Sequence, residues 1–393
     1  MAALDGIRVI ELGQIYNGPY CGLLLAYLGA AVVKVEPLGG DRLRSLGEDA
    51  HEFLMLNSNK SSIALNLKTP EARELFLDLV RGADVVIENF KGGVMNRMGL
   101  SWPVLRDANP RLVYADGKGF GNEGPYAEYP AMDVTIQAIA GIMSTTGFPE
   151  NPPVKAGATV VDFMGGIHLA AGVLAALYER ERTGRGQRVE VSMHDTMYPT
   201  LASSLGALYK SAGTAHQPPD RIGNRHYVIV PYNVYPASDG HVAIMCVSQE
   251  HWLQLATLIR HPEFAADGPF TDLFARATRA DAVDAIIGEW TAAQPKWDIA
   301  RRLLAAGVPV APVLSLREVA DDPHLLARGM IREIEHPTRG RVRLPGNPIR
   351  LEGSPLGEVR PAPRVGEHTE QILRGLGLND ARIAELRARR IVR

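Results

Sequence analysis

From Ile7 to Asp116 the chain alternates short β-branched runs with helical patterns, and this rhythm restricts its fold more than any other feature. Ile7 to Leu12 is a short apolar run. Asn17-Gly18-Pro19 then reads as a helix start, with Asn17 as N-cap, ahead of apolar Leu23 to Leu28, and Gly29 reads as the stop. AVVKVE (Ala31 to Glu36) follows as a strand, which completes a strand, helix, strand unit. The alternation continues through Ser62 to Leu65 (strand), Pro70 to Arg81 (helix), Val85 to Glu88 (strand), Trp102 to Ala108 (helix) and Leu112 to Asp116 (strand). Repetition on this scale predicts an α/β fold opening with a Rossmann-like parallel sheet. The first strand-to-helix loop, GQIYNGP (Gly13 to Pro19), lacks Gly-x-Gly-x-x-Gly spacing and so disfavours a dinucleotide there.

The second half is organised differently. Ala158 to Val161 reads as strand-like, Phe163 to Arg182 as a long helix, Thr183 to Gln187 as a turn, VEVSM as a strand, and a further helix runs through Leu208. Residues 1–212 therefore form the expected large Rossmann-like domain, and the polar, Pro- and Gly-rich residues 213–227 a linker. In 228–328, strands Val228 to Tyr235 and His241 to Val247 flank an Ala-Ser-Asp-Gly turn, and helices up to Gly307 complete a smaller α/β domain. Residues 329–393 hold short strands (Arg341 to Leu344), a Pro-rich extended stretch and a charged terminal helix with Leu373 and Leu386.

With 393 residues, 46% of them hydrophobic, the chain buries more than one domain's worth of core. A net charge of −2 with interleaved signs gives no footprint for nucleic acid or an anionic membrane. Cys21 and Cys246 occur in unrelated contexts, so neither a disulfide framework nor a cysteine metal site is expected. MAALDGIRVIEL lacks the pattern of a signal peptide, and no run of about 18 apolar residues stands out, so a cytoplasmic setting is expected.

Asp162 is the first candidate for chemistry. It precedes Gly165-Gly166 at a helix start, where orphan N–H groups and the helix dipole favour negative charge and glycines let a substrate approach. An N-cap without chemistry is the plain alternative. ENFKGGVMNRMG (Glu88 to Gly99) opens a strand end into a Gly-rich loop with Lys91 and Arg97, suited to a phosphorylated ligand or simply a solvated helix start. LGGDRLR (Leu38 to Arg44) and NSNKSSIALNLK (Asn57 to Lys68) are further basic segments after strands. His168 and His194 lack fixed carboxylate partners in the sequence and read as structural.

Taken together, LDGIRVIEL, GPYCGLLLAYLGAAVVKVE, NSNKSSIALNLK, VVIENFKGGVMNRMGL, GKGFGNEGPY, GATVVD, LAALYERERTGRGQRVEVSM, GVPVAPV and PAPRVGEHT resemble the family III CoA-transferases over nearly the whole length. The resemblance implies Asp162 as covalent nucleophile and CoA contacts at Leu65, Lys68, Asn89, Phe90, Lys91, Arg97 and Met98. It further implies an interlocked homodimer whose carboxyl-terminal segment returns to the large domain. A CoA thioester and a small carboxylic acid would be the substrates, with no permanently bound cofactor and no metal. Asp162 would attack the donor thioester to give a mixed anhydride, CoA thiolate would convert this to an aspartyl-CoA thioester, and the acceptor would reverse the sequence. Gln14, Tyr16, Gly165, Gly166 and Arg225 are the candidates for substrate or oxyanion contacts, with Arg221 and His226 beside Arg225 in the linker. A dicarboxylate acceptor is expected.

Two departures narrow the reading. Oxalate-specific members carry glutamine where this chain has Tyr16, and a later run of glycines that is missing here, which argues against formyl-CoA and oxalate as the pair. The α-methylacyl-CoA racemases supply a His-Asp pair where this chain has Ala131-Met132-Asp133, so the transferase reading is preferred to the racemase. A catalytically silent CoA-binding protein would be expected to lose Asp162 or the Asn89 to Arg97 loop, and both are present.

Overall fold

The computed structural model describes residues 1–46, 50–215, 218–264, 268–355 and 357–393. Residues 216–217 of the expected linker and 265–267 of the expected small domain lie outside the described residues, as does position 356 of the carboxyl-terminal segment. The chain divides into two compact units: Met1–Ala140 with Gly157–Thr200 and Pro323–Arg393, and Gly141–Ala156 with Leu201–Asp322. The second unit thus begins earlier than residue 228 and takes in Gly141–Ala156, a stretch whose sequence carries no boundary signal.

The first unit is built on a six-stranded parallel sheet: β1 (Arg8–Glu11), β2 (Ala31–Glu36), β3 (Lys60–Ala64), β4 (Val85–Glu88), β5 (Val113–Lys118) and β6 (Arg188–Ser192), in the order β3-β2-β1-β4-β5-β6. The order reverses direction between β1 and β4, and that switch point is where open α/β sheets bind ligands, beyond the carboxyl ends of the strands. Alternate side chains along the strands supply the two cores. Val9, Val32, Val85 and Val113 pack against the Asn17–Tyr27 and Val160–Thr183 helices through Leu24, Leu25, Leu169 and Val173. Ile10, Val35, Ile63 and Val86 pack on the other face against Phe76 and Val80 of the Pro70–Arg81 helix. That helix starts where Thr69 Oγ accepts from Ala72 N at 3.3 Å ahead of Pro70, and ends at Gly82.

The expectations for these two core helices need correction. Asn17 is the first residue inside its helix, not its cap, and the cap position falls on Tyr16 without a side-chain bond. Ala158 to Val161 is no strand, because the long helix already begins at Val160. That helix, Val160–Thr183, is also long and apolar enough to cross a membrane, although no such run stands out in the sequence. Its Leu169, Val173 and Leu177 are spent on the sheet, as in the core helix of a globular domain.

In the second unit β7 (Tyr232–Ala237), β8 (Gly240–Met245) and β9 (Val310–Pro312) form an antiparallel sheet. Trp252, Phe264, Phe270, Val283, Ile287 and Leu303 fill its core.

The carboxyl-terminal residues belong to the first unit. The hairpin of β10 (Ile331–His336) and β11 (Gly340–Pro345) sets Val342 and Leu344 against Phe53 and Leu54. Asn66 N donates to Ile391 O at 2.9 Å, and Leu373, Leu386 and Val392 enter the core. The terminal helix is two helices, Thr369–Gly375 and Asp380–Ala388, parted where Gly377 takes the left-handed conformation at φ 87°.

Candidate active site

Asp162 sits in the first turn of the Val160–Thr183 helix, and the start of that helix is fixed from elsewhere in the chain. Asp133 Oδ2 accepts from the backbone N–H groups of Val161 at 2.9 Å and Asp162 at 3.2 Å, satisfying two of the orphan donors of the helix end. Gln137 Nε2 donates to the other Asp133 oxygen at 2.6 Å, which holds the capping carboxylate in place. The side chain of Asp162 is half-buried. Burial first, and the neighbouring Asp133 charge second, push its carboxyl up to about 7.

Asp162 lines a cavity of about 430 Å³. Its walls come from the end of β5 and the segments after β1, β4, β5 and β6, at the carboxyl edge of the sheet, and include Gln14, Asn17, Asn89, Lys91, Lys118 and Met193. Two hydrogen bonds clip the β1 and β4 loops together: Gln14 N donates to Asn89 Oδ1 and Asn89 Nδ2 donates to Gln14 O, both at 2.8 Å. The β4 loop is also tied at its root. Glu88 Oε2 accepts from Phe90 N at 2.6 Å, and its other oxygen accepts from Tyr114 Oη at 2.8 Å and from Lys118 Nζ. Burial pushes the Glu88 carboxyl up despite its Lys118 partner. Lys118 Nζ also reaches Phe90 O at 2.8 Å. Lys91 and Arg42 are exposed at the cavity and offer cations to a diphosphate or a carboxylate.

The structure thus gathers Gln14, Asn89, Phe90, Lys91 and Asp162 around one space. Tyr16 is close by: its ring lies 6.1 Å from that of Phe163, and burial, with the Glu52 and Asp162 carboxylates, raises its phenol above the ordinary value. The remaining candidates lie apart from the cavity wall. Leu65 is 1% exposed and packed in the core, so its side chain has no surface to give a ligand. Lys68 and Arg97 are exposed, and Met98 packs against the core. Lys60, in one of the basic segments, is buried on Glu11 Oε2 at 2.6 Å and is structural. His168 Nδ1 pairs with Met164 O at 2.8 Å within its own helix, and His194 lies against the Phe120 ring.

Gly165 and Gly166 have a different use from the one expected. Their N–H groups fall in the second turn, where i→i−4 bonding consumes them, so they are not free oxyanion donors. What they provide is space, because Asn17 and Tyr20 lie against their Cα atoms.

In the second unit Arg225 is held by Asp281 and Asp284, each at 2.7 Å, beside an open groove of about 630 Å³. Arg221 is spent on the carbonyls of Phe148 and Ser144, and His226 Nδ1 accepts from the N–H groups of Val228 and Ile229.

Sequence reasoning missed Lys118, the capping role of Asp133 and the true place of Asn17. Lys118 had a usable signal, since Gly117-Lys118-Gly119 lies at the carboxyl end of a predicted strand. Asp133 stands out in the sequence only against the racemase pair, and its capping of Asp162 had no local signal, because it acts across 29 positions.

The fold and site define an α/β enzyme whose candidate nucleophile is a carboxylate held near neutrality. The family model described as CoA-transferase family III matches residues 4–369, and the chain belongs to that family. Among curated relatives, the formyl-CoA:oxalate CoA-transferase of Streptomyces avermitilis is 39% identical, over 99% of this chain and 99% of the relative. The succinyl-CoA:mesaconate CoA-transferase of Haloarcula marismortui is 38% identical, over 96% and 98%. Among solved structures, a CaiB/BaiF family protein from Brucella suis superposes with a TM-score of 0.83 at 35% identity, covering 95% of this chain and 99% of that one.

Proposed function

We propose that this enzyme transfers CoA from an acyl-CoA to a small carboxylic acid, with Asp162 as covalent nucleophile. One observation carries the reading: the only cavity-lining carboxyl group among the described residues of the large cavity is Asp162, and it is held near neutrality. A carboxylate of ordinary pKa is a poor nucleophile. Raising it to about 7 keeps a substantial ionised fraction at neutral pH and makes that fraction more basic.

The reaction follows from this placement. An Asp162 oxygen attacks the thioester carbon, the C–S bond breaks, and CoA thiolate leaves with the electron pair. The thiolate then attacks the Asp162 carbonyl of the mixed anhydride, releasing the donor acid and leaving an aspartyl-CoA thioester. The acceptor carboxylate repeats both steps in reverse. The Asn89 to Lys91 loop, pinned through Glu88 and Gln14, receives the pantetheine arm, and the exposed Lys68 and Arg97 meet the nucleotide end along the same edge of the sheet. Leu65 contributes through backbone and Met98 through its neighbouring surface. The reading includes an interlocked homodimer, on the ground of family membership.

Relatives act on oxalate and on mesaconate, so the acceptor is taken to be a small dicarboxylic acid. The test is exchange of isotopically labelled acid into acyl-CoA. Exchange by wild type, lost in Asp162→Asn, supports the reading. Deuterium entering the α-position of a branched acyl-CoA without transfer would replace it with racemisation.

A further inference from the structure

Asn17 is 2% exposed, and neither Nδ2 nor Oδ1 has a hydrogen-bond partner among the described residues. Leaving both ends of a buried carboxamide unpaired costs stability, and such a group needs a reason. Helix capping does not supply one, since Asn17 lies inside its helix.

Its position is tightly prescribed. A Cβ added at Gly117 would lie 2.4 Å from Oδ1, and one at Gly165 would lie 2.3 Å from Nδ2. A Cβ at Gly166 would lie 2.8 Å from the Asn17 carbonyl. Both the end of β5 and the second turn of the Val160–Thr183 helix therefore lack side chains where this amide lies. Gly165 and Gly166 follow Asp162 by three and four residues, so they share its face of the helix. Asn17 covers that face at Gly165 and Gly166, and both Asn17 and Asp162 line the same cavity.

We propose that Asn17 is a catalytic residue whose carboxamide donates a hydrogen bond to the acyl oxygen at the Asp162 centre. When Asp162 attacks the thioester, negative charge moves onto the carbonyl oxygen. When thiolate then attacks the Asp162 carbonyl of the anhydride, the charge moves onto the Asp162 oxygen instead, and each time it leaves as the C–S or C–O bond breaks. A neutral N–H stabilises that charge without pairing with the Asp162 carboxylate beforehand, as a cation would. Because neither end has a hydrogen-bond partner among the described residues, the carboxamide gives up no existing bond when its N–H meets that oxygen. The other end is then available to an N–H or O–H of the substrate.

The inference rests on Asp162 being the nucleophile, and its test separates the two. Single-turnover formation of the Asp162 adduct, steady-state kinetics and thermal melting are measured for wild type, Asn17→Ala, Gly165→Ala and the double variant. Loss of one such donor lowers kcat by about 10²–10³-fold. Asn17→Ala is expected to slow adduct formation and kcat by that amount, with little change in KM and no fall in Tm. Gly165→Ala keeps the amide but displaces it, and is expected to slow the same step, with Met193 Cγ at 3.0 Å giving way slightly. The double variant is expected to be no slower than Asn17→Ala alone, because truncating the carboxamide leaves room for the new Cβ. Adduct formation at the wild-type rate in Asn17→Ala overturns the proposal, and so does a wild-type rate in Gly165→Ala if Asn17→Ala does not fold. If wild type itself forms no adduct at Asp162, the reading of Asp162 as nucleophile has failed instead.

Discussion

The carboxylate of Asp133 accepts the backbone N–H of Asp162 at 3.2 Å, so the group that starts the Val160–Thr183 helix is also a like charge beside the proposed nucleophile. Capping and pKa tuning are one contact. Asp133→Asn keeps an acceptor for the helix end and removes the charge. The prediction is a low-pH limb of kcat/KM that lies near pH 7 in wild type and moves to lower pH in Asp133→Asn. A limb that stays in place would mean that burial alone sets the Asp162 value.

Stability should follow the same proton. The Asp162 carboxyl is raised from 3.8 to about 7, so its contribution is fully present below about pH 4 and is lost as pH rises through 7. Asp162→Asn is therefore expected to be more stable than wild type at pH 8, with the difference shrinking toward pH 5. Urea unfolding at the two pH values reads this directly.

Lys118 is 7% exposed and Glu88 1%, and their ion pair anchors the β4 loop. Removing one partner of a buried pair strands the other. Lys118→Ala is expected to lose about 3 kcal/mol in denaturant unfolding and to raise KM for acyl-CoA. A stability loss without a KM change would separate Lys118 from the binding loop.

Arg225 is engaged by Asp281 and Asp284, and Asp284 also accepts from Tyr235 Oη at 2.6 Å and Asn233 Nδ2 at 2.8 Å. A guanidinium so occupied is a fixture of the second unit. Arg225→Ala is expected to lower Tm and to affect dicarboxylate and monocarboxylate turnover alike. Selective loss of dicarboxylate turnover would return Arg225 to substrate recognition.

Much of the fold is legible wherever the determinants are local. Ala31–Glu36, Pro70–Arg81, Val85–Glu88 and Trp102–Ala108 emerge as read, because β-branched runs and Thr-Pro or Gly boundaries are written into adjacent residues. The break between the two terminal helices also has a local signal, Gly-Leu-Gly-Leu-Asn at 375–379, which a reading of one continuous helix overlooks. Determinants at long range are not legible. Val160 and Val161 look like strand, yet a carboxylate 28 residues earlier draws Val161 N–H into a helix start. Asn17 reads as a cap from its neighbours, whereas its buried position depends on glycines at 117, 165 and 166. Arg225 reads as a free cation until Asp281 and Asp284 are seen beside it.

The central claim is that an oxygen of Asp162 takes part in each transfer. In that chemistry the acceptor carboxylate leaves one of its oxygens on Asp162, which passes it to the next donor acid. Turnover with an acceptor labelled with oxygen-18, followed by mass spectrometry of the peptide holding Asp162, measures this directly. The account predicts oxygen-18 in that peptide and in the released donor acid. Full turnover with no label in either would contradict a covalent role for Asp162.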